Sequence, residues 1–205
     1  MAHRPQQPAD TAIPAPDDDL CLAYANTRYW RGTATPTEDL KDPDDLLRWA
    51  TTAEHLPRAV IESIGERWRG RTDDAAADFD TAVALREAIH RSFAAIAGSQ
   101  APTEADLATL NAALAMSPPR QRLRLGGWVI GMPEPSVSVL LAPTLWSAAD
   151  LLVRSQLQRV RQCSNPDCGW LFLDNSKSGN RRWCSMSACG NRAKAHRHYL
   201  RQKEK

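Results

Sequence analysis

Four of the five cysteines in this 205-residue sequence lie near its C-terminus, in two pairs with equal spacing. Four residues separate Cys163 from Cys168, and four also separate Cys184 from Cys189, which gives the pattern C-x4-C-x15-C-x4-C. Cysteine thiolates are strong ligands of Zn²⁺, and four of them arranged as a tetrahedron form a closed structural site. The pattern therefore predicts that Cys163, Cys168, Cys184 and Cys189 bind one structural zinc ion.

Two other uses of these thiols stay open, namely a pair of disulfides and a redox or iron–sulfur role. Disulfides are disfavoured because the opening residues, MAHRPQQPADTAIPAPDDD, contain no apolar core of a signal peptide. Cytosolic proteins also rarely keep structural disulfides, so zinc is the favoured interpretation. The fifth cysteine, Cys21, lies in the apolar stretch LCLAYA and is expected to be buried and inert.

Several neighbours of the paired thiols have predicted structural roles. Trp170 and Trp183 are expected to form the core of the small metal module, with stacking on nucleic-acid bases as the alternative. Asn191 is expected to bridge the loops around the ligands. His196 and His198 are expected to be surface or packing residues, because four thiols already complete a tetrahedral site.

Charge is distributed unevenly along the chain, although the net formal charge is only +2. Residues 154–205 contain 12 Lys and Arg against 3 Asp and Glu, a formal +9, whereas residues 1–153 have a formal −7. Lys and Arg neutralise phosphates, and Arg also forms bidentate contacts with phosphate or guanine. A solvated helix face that binds nothing is the plainer alternative. The predicted contacts to nucleic acid, favoured as DNA, are Arg181, Arg182, Arg192, Lys194, Arg197 and Arg201.

Composition and the motifs that are missing narrow the function classes. No apolar run approaches the ~20 residues that a membrane-spanning helix needs, so we expect a cytoplasmic protein without a membrane partner. The sequence contains no nucleophile elbow, Gly-rich phosphate loop or H-E-x-x-H motif. A site with four cysteine ligands has no open position for water. We therefore expect no enzymatic activity.

Apolar residues upstream of the paired cysteines recur mostly at helical spacing. Asp42 and Pro43 suit a helix N-cap and first position, and Thr103 with Asp106 is similar to a capping box. Helices are predicted for LCLAYANTRYW after Asp18 or Asp19, DPDDLLRWATTAEHL, PRAVIESIGERWRG, residues 73–97, ATLNAALAM, and TLWSAADLLVRSQLQRVRQ after Pro143, which runs directly into Cys163.

Alternation of apolar and polar residues indicates short strands elsewhere. RQRLRLGGWVIG is predicted to form two strands around Gly126 and Gly127, and PSVSVLL a third strand. After the first cysteine pair, WLFLDNS and RRWC are predicted to pair as a hairpin, and ACGNRAKAHRHYLRQK to form a helix. A knuckle, a hairpin and a helix that begins at the last ligand follow the order of a treble clef.

These elements predict a mainly α fold with short β-hairpins, in which a multihelical N-terminal domain precedes a small treble-clef-like zinc module. Residues 1–17 are rich in proline and polar residues and are expected to be a disordered tail. The helical domain is predicted for residues 18–159 and the zinc module for residues 160–205. Because no Gly, Pro or Ser cluster separates them, the two are expected to be rigidly coupled.

The motif Cys189-Gly190-Asn191-Arg192 is the one that names the CGNR zinc finger, and residues 168–199 resemble that family throughout. Upstream, LCLAYANTRYWRG, DLLRWA and LAPTLWSAADLL resemble the ABATE domain that usually precedes this finger. The resemblance covers nearly all of residues 18–203, and it departs at Ala23, where the family more often has Asp. It implies a stress-induced transcription regulator whose basic finger binds DNA.

The leading hypothesis is therefore a DNA-binding transcription regulator with a structural zinc finger. A zinc-dependent adaptor for protein interactions and an RNA-binding protein are the alternatives. The helical domain is expected to receive a small-molecule or protein effector. Trp128 and Trp146 either frame an apolar pocket or partner surface or, as the favoured interpretation, belong to the plain core. Salt dependence separates these hypotheses, since binding to nucleic acid weakens steeply as salt is added.

Overall fold

The computed structural model describes residues 11–131 and 134–203, apart from the side chains of residues 196–198, 200 and 201. In this part of the chain α-helices predominate, with short antiparallel strand pairs and a cluster of four cysteines near the C-terminus. The predicted fold class, a mainly helical domain followed by a small cysteine-rich module, is confirmed.

One long helix forms the centre of the N-terminal domain. In chain order, the α-helices of the described residues are α1 (Leu20–Ala25), α2 (Pro43–Ala53), α3 (Arg58–Gly70), α4 (Thr72–Ala97), α5 (Glu104–Met116), α6 (Val137–Leu140), α7 (Ala142–Val153) and α8 (Asn191–Lys203). Helix α4 packs against α1, α2, α3 and α5. Its buried residues Ala82, Leu85, Ile89 and Phe93 follow three- and four-residue steps, which place them on one face.

Two predicted helix starts are confirmed by their hydrogen bonds. The Asp42 carboxylate accepts a bond of 2.8 Å from the Asp45 amide at the start of α2. The Thr103 hydroxyl accepts a bond of 3.1 Å from the Asp106 amide at the start of α5. Each bond satisfies a backbone N–H that has no partner within its own helix.

The strands found among the described residues form three small antiparallel sheets. They are β1 (Thr11–Pro14), β2 (Arg28–Tyr29), β3 (Thr37–Glu38), β4 (Arg122–Arg124), β5 (Gly127–Ile130), β6 (Val160–Gln162) and β7 (Leu171–Leu173). Strand β5 lies between β1 and β4, while β2 pairs with β3 and β6 pairs with β7. The predicted hairpin around Gly126 is confirmed as β4 and β5.

The expectation that residues 1–17 form a disordered tail is wrong for residues 11–14, which form β1; residues 1–10 lie outside the described part. Ile13 pairs with Trp128 and is almost fully buried. A Cβ atom on Gly127 would lie 2.1 Å from the Ile13 carbonyl oxygen, so only glycine permits this close strand contact. The composition of residues 1–17 does not predict this strand, because its partner is more than a hundred residues away. Pro14 is compatible with it, because β1 is an edge strand.

The predicted strand at residues 135–141 is also wrong, because this segment contains the short helix α6. Its residues Val137, Val139 and Leu140 are all buried. Alternation over so few residues does not separate a strand from a helical turn that is enclosed on most sides.

The first predicted helix ends early, at Ala25, and does not extend to Trp30. The Thr27 hydroxyl donates to the Tyr24 carbonyl at 2.8 Å, and the Asn26 side chain bonds to the distant backbone of Leu171. These side chains compete with helix continuation by taking backbone partners of their own.

The last predicted helix of this domain likewise stops at Val153 and does not reach Cys163. A 3₁₀ turn over Ser155–Arg159 follows, and the chain then forms β6. Val160 of β6 and Leu171 and Leu173 of β7 belong to the main apolar core of the protein. The metal module therefore begins as a strand pair that packs on α4 and α1.

Candidate metal centre and its interface

Cys163 and Cys168 lie at the two ends of a tight loop between β6 and β7. The Cys168 amide donates to the Asn165 carbonyl at 3.0 Å, and the Asn165 side chain accepts from the Asp167 amide at 3.2 Å. This is the local turn that asparagine favours. Gly169 follows with φ of +71°, a left-handed conformation that glycine adopts without strain.

Cys184 and Cys189 are positioned by a helical turn, and the predicted strand RRWC at residues 181–184 is wrong. Strand β7 already has β6 as its partner. The backbone instead forms a wide, π-helical turn over Met186–Gly190, capped by the Ser185 hydroxyl, and α8 begins at the next residue. Cys189 therefore lies two residues before the start of α8, close to its predicted place in the first helical turn.

The loop that leads from β7 to Cys184 is organised by Asp174. Its carboxylate accepts bonds from the Ser176 hydroxyl at 2.5 Å, the Ser176 amide at 3.0 Å and the Arg181 amide at 2.8 Å. The hydrogen bonds from Ser176, followed by that from Arg181, hold the pKa of Asp174 below its usual value. Arg181 itself donates to the carbonyls of Trp183 and Cys184 and lies 4.3 Å from the Phe172 ring centroid.

The four sulfurs form one compact cluster. The Sγ atoms of Cys163, Cys168, Cys184 and Cys189 all lie within 4.8 Å of one another, and those of Cys168 and Cys184 are 3.7 Å apart. A tetrahedral zinc site with Zn–S bonds of about 2.3 Å has sulfur–sulfur edges of about 3.8 Å. A disulfide needs a separation of about 2.05 Å, and no disulfide joins any of the five cysteines. The donor set fits zinc.

Electrostatics gives a second reason to expect a cation at this cluster. Burial raises the pKa of Cys184 to about 11 and that of Cys168 above its usual range. Burial acts in the same direction on Cys189, but hydrogen bonds from Asn165 and the neighbouring thiols lower its pKa overall. Four thiolates at such distances repel one another, so they need a bound cation to be ionised together.

Asn165 takes the supporting role that the sequence suggested for Asn191. Its amide nitrogen lies 3.5 Å from the Cys189 sulfur, where an N–H group stabilises a thiolate. Asn191 is exposed at the start of α8. The sequence did not single out Asn165 as a supporting residue. Asparagine is common in turns, and that alone accounts for its position between Cys163 and Cys168.

Family comparison agrees with this geometry. A model of the ABATE family, whose description is "Putative stress-induced transcription regulator", matches residues 18–155, and the CGNR zinc finger model matches residues 159–202. This chain belongs to the ABATE family. Its C-terminal part is a CGNR zinc finger. A search of curated proteins finds no match. Among the helices of the described residues, not one combines the length and the apolarity needed to cross a membrane.

The ABATE domain holds the CGNR finger through the segment that follows α1. The Asn26 side chain donates to the Leu171 carbonyl at 2.8 Å and accepts from its amide at 2.9 Å, as a neighbouring strand would. The amides of Arg31 and Gly32 donate to the carbonyls of Cys168 and Asp167 at 3.3 and 3.2 Å. A Cβ atom on Gly32 would lie 2.1 Å from the Pro166 oxygen, so this contact requires glycine.

A network of charged side chains lies behind this segment. Arg86 is fully buried on α4 and contacts both carboxylate oxygens of Glu38, at 2.5 and 2.7 Å. The carboxylate of Glu87 likewise accepts two hydrogen bonds from the Arg31 guanidinium, at 2.7 and 3.1 Å. This network was not predicted from the sequence, although Arg86, at an apolar position of α4, was an available signal. A buried guanidinium requires paired acceptors, and here it has them.

His90 connects α4 to the metal-binding loop. Its Nε2 atom lies 2.9 Å from the carbonyl oxygen of Gly169, and this nitrogen must donate because a carbonyl oxygen only accepts. Burial, together with the positive charge of Arg31, lowers the pKa of His90 from 6.5 to about 4. His90 is therefore neutral at physiological pH and fixes the loop next to Cys168.

Three tryptophans pack around the sulfurs. Trp170 and Trp183 lie against the cysteine cluster, as predicted, and the ABATE domain adds Trp30. The Arg192 guanidinium lies 4.6 Å from the Trp30 ring centroid, so the R of the CGNR motif connects α8 to the other domain through a cation–π contact.

The six basic residues predicted to contact nucleic acid fall into distinct groups. Arg181 is engaged by the carbonyls of its own loop. Arg182 and Arg192 lie over tryptophan rings and keep exposed surface, and Lys194 is exposed on α8. Arg197 and Arg201 are residues of α8 whose side chains lie outside the described part.

The ABATE domain contains an open apolar cavity of about 420 Å³, whose lining does not include Trp128 or Trp146. The space between those two indoles is occupied by Arg120, 5.4 and 5.1 Å from their ring centroids. Leu85, Ala113, Met116, Val137, Leu141 and Leu145 are among the residues that line the cavity.

Proposed function

We propose that this protein is a DNA-binding transcription regulator whose CGNR finger holds one structural zinc ion and contacts DNA. The observation that carries the proposal is the charge of α8, which contains five Lys and Arg and no Asp or Glu over residues 191–203. With four thiolates and one Zn²⁺ the site adds a charge of about −2. The finger stays strongly basic with that charge included.

The zinc ion would act by cross-linking two loops, since a site with four cysteine ligands has no open position for a reactant. The chain's own residues then position α8. Cys189 belongs to the turn that leads into α8, and Arg192 reaches Trp30 on the ABATE domain. A helix held at a fixed angle presents its cations to phosphates with less loss of entropy than a mobile tail.

Salt dependence of DNA binding tests the proposal. If about five phosphates are neutralised, log K against log salt should have a slope of about −4 to −5. Lys194→Ala should weaken binding to every sequence and reduce the magnitude of the slope by about one. Lys41→Ala is the matched control, because Lys41 is an exposed lysine of the ABATE domain and its removal changes net charge equally. Fluorescence anisotropy at several salt concentrations measures both variants.

Two results would contradict the proposal. Zinc-loaded protein that fails to bind DNA or RNA at low salt would remove the nucleic-acid function, and the adaptor alternative would replace it. Equal slopes for Lys194→Ala and Lys41→Ala would show that α8 does not contact phosphate. Tighter binding to RNA than to DNA would change the substrate class while leaving the basic surface in place.

We place the effector of the regulator in the apolar cavity of the ABATE domain. The hydroxyls of Thr81 and Thr109 on its wall donate to carbonyls of their own helices, so an apolar small molecule suits it better than a polar one. Such a ligand should raise the melting temperature of the wild type and not of Ala113→Phe, which fills the cavity. Equal shifts in both proteins would contradict this location.

A further inference from the structure

A second, aromatic cleft lies beside the cysteine cluster, where the two domains meet. It has a volume of about 350 Å³ and is lined by Tyr29 and Trp30 from the ABATE domain and by Trp170 and Ala188 from the finger. Cys168, Cys184 and Cys189 line its remaining side, so the cleft directly borders the sulfur cluster. The cleft exists only because both domains contribute to it.

The rings that line the cleft are only partly used in packing. Tyr29 and Trp170 meet edge to face, with centroids 6.0 Å apart and planes at 64°. Tyr29, Trp30 and Trp170 are each half-buried. This arrangement leaves aromatic surface available to a flat ligand, for which stacking on the rings is the favoured contact.

The charges around the cleft indicate whether a cationic ligand or a planar group on an anionic backbone suits it better. None of the described residues that line it is acidic. Arg192 lies over the Trp30 ring, and Arg181 binds the carbonyl of Cys184. These two guanidinium groups offset the charge of about −2 that four thiolates with one Zn²⁺ would carry, and no carboxylate lines the cleft, so it has no net negative charge to hold a methylated ammonium group. A planar group attached to an anionic backbone matches both the rings and the charge.

We infer that this cleft receives one unpaired base of a nucleic acid bound by the finger, stacked against Tyr29, Trp30 and Trp170. The inference rests on the proposed nucleic-acid function and specifies the form of its ligand. A base inside a regular duplex has both faces covered by its neighbours, whereas a base that is unpaired, extruded or in a single strand can enter. Arg192 lies where it can contact the phosphate of that nucleotide.

The test compares three DNA probes at one salt concentration, using the full-length zinc-loaded protein. The probes are a fully paired duplex, the same duplex with one unpaired adenine, and the single strand. Stacking of one base should make the wild type bind the probe with the unpaired adenine about 10-fold or more tightly than the paired duplex. If the protein binds the single strand more tightly than the duplex with one unpaired adenine, the base in the cleft comes from single-stranded DNA and not from a base extruded from a duplex.

Variants of Tyr29 separate stacking from charge. Tyr29→Leu keeps apolar bulk and removes the ring, so it should lose the preference for unpaired bases while binding the paired duplex as the wild type does. Tyr29→Phe keeps the ring and should keep the preference. Zinc content is measured on each variant, and Lys194→Ala should weaken all three probes alike.

A direct readout keeps the inference falsifiable if Tyr29→Leu fails to fold. With 2-aminopurine at the unpaired position, stacking on the rings should quench its fluorescence when the wild type binds. Unquenched fluorescence, or equal affinity of the wild type for all three probes, would overturn the stacking site and leave the proposed DNA binding intact. Absence of binding to any probe at low salt would overturn the proposed function itself.

Discussion

The ABATE domain and the CGNR finger are stabilised by different interactions. In the ABATE domain, residues from α1 to α7 bury a continuous apolar core. Around the metal centre the buried cluster consists of Cys163, Cys168 and Cys189, with tryptophans packed on it. We expect a module with so little buried apolar surface to need a bound metal for folding, and the helical domain to fold without one.

The part of the chain stabilised by the apolar core extends beyond the boundary between the ABATE and CGNR matches. The CGNR match begins at residue 159, but Val160, Leu171 and Leu173 lie in the apolar core of the ABATE domain. The finger is therefore divided. Its strand pair, β6 and β7, is stabilised by the apolar core of the helical domain. The part from Asp174 onwards is expected to be stabilised by metal binding at the sulfur cluster.

The largest expected effect comes from removing one sulfur. Cys184→Ser should lose zinc and unfold residues 174–203, because a metal site of this kind contributes on the order of 10 kcal/mol to the folding of its module. Amide exchange should become fast in α8 and stay slow in α4, β6 and β7. Metal analysis and hydrogen exchange measure the two parts of the prediction.

Cys21 provides the control for that experiment. It is fully buried in α1, and burial raises its pKa to about 12. Cys21→Ala should therefore keep full zinc occupancy. Full occupancy in Cys184→Ser would contradict the ligand set, and fast exchange in β6 and β7 of that variant would contradict the division of the finger.

The next largest effect should come from the buried ion pair at the interface. Arg86→Met leaves Glu38 without its bidentate partner, while Glu87 keeps Arg31. Removing one member of a buried pair costs about 3–5 kcal/mol. Arg48→Met is the control, because the Arg48 side chain is 70% exposed in its pair with Asp45 and should contribute less than about 1 kcal/mol. Urea denaturation measures both, and equal losses would contradict the role of burial.

A smaller effect should follow from the pH dependence of His90. Its pKa in the folded protein is about 4, below the ordinary value of 6.5. The unfolded state therefore binds a proton that the folded state does not, and the stability present above about pH 6.5 is lost as the pH falls towards 4. For a shift of this size the loss is about 2–3 kcal/mol.

His90→Gln tests this contribution because glutamine can donate to the Gly169 carbonyl but does not titrate. Its unfolding free energy should fall less than that of the wild type between about pH 7 and pH 4. Protonation of the metal-binding thiols affects both proteins equally, so the difference between them isolates His90. Parallel pH profiles would contradict the assignment.

Local chemistry made several features predictable from the sequence. The spacing of the four cysteines identified the sulfur cluster, and the residue types at Asp42 and Thr103 identified two helix starts. In each case the responsible atoms lie within a few residues of one another or repeat a fixed pattern. The mainly helical fold followed from the same short-range periodicity.

The tertiary structure alone decided which segments pair across long distances. Ile13 joins β5, Asn26 bonds to Leu171, and Gly32 contacts the loop that carries Cys168; none of these partners is near in the sequence. Arg86 could be recognised as exceptional on an apolar helix face, but its acceptor Glu38 could not be identified. Such contacts depend on the packing of the whole chain around α4, because a backbone or charged group takes whichever partner the fold brings within hydrogen-bonding distance.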